Sequence, residues 1–121
     1  MKLIITENKF KSLINRVVGY DLSDHIEMIT NWIELGSEGQ KLFTDGRDEL
    51  RWLLNNFGPM YLFTIDDKKY LVQNQNKEYG WLILSYEKNR RINEDDFLKI
   101  LGIRSLGIDF LNKIINEFVE E

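Results

Sequence analysis

The feature that most constrains this chain is a change of hydrophobic period at "FGPM", residues 57–60. Before it, apolar residues recur every three or four positions, as on one face of a helix. After it they alternate, as on a half-buried strand. Gly58 and Pro59 mark the boundary, because neither continues a helix cheaply. A chain that keeps its helical and strand patterns in separate blocks folds as α+β, not as an alternating α/β protein.

Each block has its own punctuation. Thr6 can cap a first helix, with Phe10, Leu13, Ile14, Val17 and Val18 on one stripe and Gly19 at its end. "DLSDHIEMITNWIEL" reads as a second helix, capped by Ser23 or Asp24 and stopped by Gly36. Thr44 or Asp45 caps a third, whose stripe is Leu50, Leu53, Leu54 and Phe57; "GSEGQKLF" before it is a loop. "MYLFTI", "KYLVQ" and "GWLILSYE" then read as three strands, rich in aromatic and β-branched residues. In the third, Trp81 and Ile83 oppose Leu82, Leu84 and Tyr86, so both faces are apolar and both need cover. Asn93 opens a further helix, Gly102 ends it, and a last helix runs from about Leu106 to Val119. The expected fold is a three-stranded antiparallel meander, extended by an N-terminal strand if "MKLIIT" pairs, packed on about five α-helices in one domain spanning residues 1–121.

Composition narrows the function. The 121 residues are 43% hydrophobic and 30% charged, ordinary for a soluble globular domain. Cysteine is absent, which removes disulfides, thiolate metal sites and cysteine nucleophiles. No apolar run suits a signal peptide or a membrane span, so a cytoplasmic protein is expected. Net charge is −4, unevenly spread. Residues 1–57 hold 7 basic and 9 acidic side chains, 58–92 hold 6 and 4, and 93–121 hold 3 and 7.

That distribution bears on "DFLKILGIRSLGIDFLNKIINEF", residues 96–118, which has the outline of a helix-turn-helix around Gly102. Phe97, Leu101, Ile103, Ile108 and Leu111 fall where crossing helices bury side chains. Leu98, however, stands where a small residue usually permits close approach. The second helix is also acidic, whereas a recognition helix draws its affinity from Lys and Arg on phosphates. A plain packed helix pair is the expectation.

Other patterns are equally ordinary. His25, the only histidine, has Asp24 and Glu27 nearby but no metal-ligand spacing. "TDGRDE" and "NEDD" lack the alternating ligands of a calcium loop. "GSEG" lacks the length and lysine of a phosphate loop. No serine sits in a nucleophile elbow. No cofactor, metal or catalytic residue is assigned.

Two features point to binding. The expected second helix carries two stripes, Leu22–Ile26–Ile29–Ile33 and Met28–Trp32–Leu35, and Trp52 lies nearly opposite the stripe of the third. Met28, Trp32, Leu35 and Trp52 are then either a second core layer or an apolar patch for a partner or a second copy. Lys68, Lys69, Lys88, Arg90 and Arg91 could form a basic sheet edge for single-stranded nucleic acid; the plainer reading is that they keep the edge soluble. A non-catalytic protein-binding module is thus the leading expectation. A nucleic-acid binder is second, and a small-molecule binder or enzyme with a pocket between sheet and helices third.

The opening "MKLIITENKF" resembles the start of many small proteins encoded by tailed phages, in which such a segment leads into an amphipathic helix. The match covers residues 1–10. The resemblance implies a virion accessory protein or a binder that blocks a host protein, in the host cytoplasm, and carries over no functional residue.

Overall fold

In a computed structural model of the chain, the structure describes residues 26–118. The expected N-terminal strand, the helix after Thr6 and His25 lie outside them. One antiparallel sheet runs β1 (Ile26–Ile29), β2 (Met60–Ile65), β3 (Lys68–Asn74), β4 (Trp81–Ser85) and β5 (Arg90–Arg91), in sequence order across the sheet. Helices α1 (Gly36–Gln40) and α2 (Arg47–Phe57) lie between β1 and β2. The single turn α3 (Asn76–Tyr79) joins β3 to β4, and α4 (Glu94–Leu101) and α5 (Asp109–Phe118) follow β5. The class is α+β, but the expected architecture is corrected: among the described residues the sheet has five strands, not three.

The first correction falls on the expected second helix. Ile26–Ile29 is a strand, paired with β2 in the register Ile26↔Phe63 to Ile29↔Met60. Helical structure begins only at the 3₁₀ turn Trp32–Leu35, behind a capping box. The Asn31 side chain accepts from the Ile33 N–H at 3.1 Å, and Glu34 Oε1 accepts from the Asn31 N–H at 2.9 Å. Those bonds satisfy N–H groups that a first turn leaves unpaired, so this is where a helix starts rather than its middle. The expected loop at 36–43 contains α1. Helix α2 is capped by Gly46, whose φ of 55° suits glycine, with no side-chain cap from Thr44 or Asp45.

The sheet is the middle of three layers. Pleating sends alternate side chains to opposite faces. On one face Tyr61, Phe63, Ile65, Tyr70, Val72, Trp81 and Ile83 are buried with Phe97, Leu98 and Leu101 of α4 and Leu111, Ile114 and Ile115 of α5. Phe63 and Phe97 meet edge-to-face at 5.5 Å. On the other face Ile29, Met60, Leu71 and Leu84 are buried with Leu35, Phe43 and Leu50. Both faces of β4 are covered, which is why its sequence does not alternate.

The connections follow local chemistry. Asp66 and Asp67 both take positive φ, 51° and 64°, giving a two-residue turn whose twist matches the strands it joins. Asn93 Oδ1 accepts from the Asp96 N–H at 2.7 Å to start α4. Gly102, with φ 77°, ends it, and the Ile103 N–H donates to the Leu98 carbonyl at 3.0 Å. A 3₁₀ turn (Arg104–Leu106) and Gly107 precede α5. The tight turn of a helix-turn-helix is absent, and Leu98 is buried against the sheet. The helix pair covers one face of the sheet.

Candidate functional site

Helix α2 packs on the sheet through Leu50, Leu53 and Leu54. Its end is fixed by a buried polar network. The fully buried Gln73 on β3 donates from Nε2 to the carbonyls of Leu53 and Gly58, at 3.0 and 2.9 Å. Gln75 Nε2 in turn donates to Gln73 Oε1 at 3.0 Å. The helix end would otherwise bury unpaired carbonyls beside the sheet.

Two exposed rings lie next to this helix end. Beyond Gln75, Asn76 Oδ1 accepts from the N–H groups of Glu78 and Tyr79, at 2.9 and 3.2 Å, and winds α3. That turn brings Tyr79 beside Phe57 at the end of α2, ring centroids 5.9 Å apart and edge-to-face. Phe57 meets Trp52 in the same way, also at 5.9 Å. The result is a row of three rings, Trp52–Phe57–Tyr79. Its middle ring is half-buried, while Trp52 and Tyr79 are 57% and 58% exposed.

The four residues expected to form either a second core layer or an apolar patch do not lie together. Trp52 is on the outer face of α2, as its position opposite the core stripe requires. Leu35 is buried in the core on the α2 side of the sheet, and Trp32 packs half-buried against it. The guanidinium carbon of Arg47 stands 5.8 Å from the centre of the Trp32 ring. Met28, 40% exposed, alternates with Ile29 along β1 and so faces the α4–α5 side. Trp32 and Leu35 belong to the core-layer reading and Trp52 to the surface one. Tyr79 was missed because it sits in a polar turn with no periodicity to mark it.

The five basic residues cluster toward one end of the sheet, but acids interleave with them. Lys68 pairs with Glu87 at 3.4 Å and Lys69 with Glu38 at 3.8 Å. Arg91 donates from Nη2 to the Trp81 carbonyl at 3.0 Å, covering a bond the short β5 leaves open. Lys88 and Arg90 are exposed beside them. A cleft of about 360 Å³ there is lined by Glu38, Asp67, Lys68, Lys69, Tyr86 and Glu87, so carboxylates outnumber cations. This edge does not offer the continuous positive track that a phosphate backbone needs.

Two apolar clusters lie between the sheet and its helix layers, and an open cleft of about 410 Å³ runs beside Tyr79, Trp81, Arg91 and the start of α4 at Asn93 and Glu94. Among the described residues no group of three or more His, Asp or Glu is arranged to hold a metal ion, and no helix is long and apolar enough to cross a membrane. No known protein family, no curated protein and no solved structure matches the chain.

Proposed function

We propose that the chain is a non-catalytic protein-binding module that docks its partner on the outer face of α2 and the adjoining α3 turn. The observation that carries this is the ring row: Trp52 and Tyr79 are both more than half exposed, yet both are held against Phe57. Tryptophan and tyrosine dominate binding hot spots, and rings already held in place lose little freedom on binding. A foreign partner fits better than a second copy. Asp45, Asp48 and Glu49 line a cleft with Trp52, and in a two-fold dimer the same patch meets itself, which would bring two copies of that acidic rim together. The setting we propose is the cytoplasm. For a phage-encoded chain, as the opening segment suggests, it is the host's, with a host protein as partner.

Selection of a displayed random-peptide library on the folded chain tests this. Peptides enriched on the wild type should lose binding to Trp52→Ala, a variant expected to keep its fold. Peptides that bind both forms equally would sink the proposed face.

A further inference from the structure

The rim of the ring row defines the chemistry of its partner. Asp45, Asp48 and Glu49 line, together with Trp52, an open cleft of about 450 Å³. Asp48 and Glu49 stand four and three residues before Trp52, on the same side of α2. Among the described residues the ion pairs are Lys68–Glu87, Lys69–Glu38 and Asp95 with Lys99 and Arg104. None involves these three carboxylates, and they are not arranged as metal ligands.

Acids at the start of a helix ordinarily complement its dipole. Helix α4 shows that plain case: Glu94, Asp95 and Asp96 fill its first turn, and Asp95 is met by Arg104 at 3.0 Å and Lys99 at 3.8 Å. At α2 none of the three acids has a cation within ion-pair distance among the described residues, although Arg47 and Arg51 lie on the same helix, and the acids flank an exposed ring. The two tryptophans of this layer differ in the same way. Trp32 has the Arg47 guanidinium over its ring, whereas among the described residues no cation lies over Trp52.

We infer that this face receives a basic segment of the partner protein, with a lysine or arginine stem laid on Trp52 and its cation among Asp45, Asp48 and Glu49. The inference rests on the protein-binding reading and names the partner's chemistry. A cation gains from the ring face and its aliphatic stem from the apolar edge, while the carboxylates steer its approach.

The test is a titration of the full chain with octaarginine and with octaglutamate, followed by calorimetry. Octaarginine should bind and octaglutamate should not, with affinity falling as salt rises. Asp45→Asn/Asp48→Asn/Glu49→Gln should weaken octaarginine about tenfold at low salt, as should Trp52→Ala. A control with the same change of charge at the end of the sheet away from α3, Asp66→Asn/Asp67→Asn/Glu87→Gln, should stay within about twofold of wild type. Asp45→Asn alone precedes the helix and spares its first turn; it should weaken binding about twofold. A triple variant as tight as wild type, or a control as weak as the triple variant, overturns the assignment. Library peptides that need Trp52 but carry no basic residue also overturn it and leave the docking face standing. If no peptide depends on Trp52, both readings fall.

Discussion

Tyr86 shows how a single side chain reports the packing around it. Gly39 lets it lie across α1: a Cβ there would come within 2.8 Å of the Tyr86 hydroxyl and 2.7 Å of Leu35 Cβ. Burial, with Glu38 and Glu27 nearby, pushes that hydroxyl up to about 12. In the unfolded chain it titrates near 10, so the folded state keeps its proton longer. The contribution to stability is therefore complete below about pH 10 and is lost as pH rises toward about 12. Tyr70, raised chiefly by burial, acts in the same direction. Urea unfolding between about pH 9 and 12 should show this decline, and Tyr86→Phe should flatten it. An identical decline in Tyr86→Phe would mean the hydroxyl is not held as described. The sequence marked Tyr86 only as an apolar position on a strand. Nothing in it revealed that a glycine 47 residues earlier would close over the ring.

At the scale of elements, α2 is held to the sheet by apolar packing and by the one amide of Gln73. Gln73→Met keeps the volume but removes both donors, leaving the Leu53 and Gly58 carbonyls and the Gln75 amide without that partner. Denaturant unfolding should register a loss of about 2–4 kcal/mol, since each buried group left unpaired costs about 1–3. A change under about 0.5 kcal/mol would show that the network does not hold the helix end. Elements were legible where they were long enough to show a period. β2 could be read from its alternation, and β3 and β4 from short apolar runs rich in aromatic and β-branched residues. β1, four residues long, could not: Leu22, Ile26, Ile29 and Ile33 also fit a helical stripe, and that fit prevailed. The sign that could have corrected it was "NWIE", a capping box placed where no helix should begin if one were already running. β5 is two arginines, too short and too charged to signal a strand.

For the whole molecule, the three-layer arrangement decides which apolar residues remain for a partner. The apolar character of both faces of β4 announced that the sheet would be covered twice. The grouping of surface residues was less legible, because it depended on a helix that proved to be a strand. That error placed Met28 beside Trp32, whereas the pleat sends it to the other side of the sheet. Trp52 was found because α2 is a helix with one core stripe and Trp52 lies opposite it. Its neighbour Tyr79 is supplied from 27 residues further on, by a turn that only the fold brings near. The central claim is that Trp52 stands free on a folded, monomeric chain. The measurement that tests it most directly is light scattering coupled to size-exclusion chromatography on the wild type and Trp52→Ala, with the unfolding midpoint of each. We predict the mass of one chain for both, and unfolding free energies within about 1 kcal/mol of each other. A wild-type dimer that Trp52→Ala dissolves would make the face a self-association surface. A variant that unfolds would place Trp52 in the core. Either result would contradict the account.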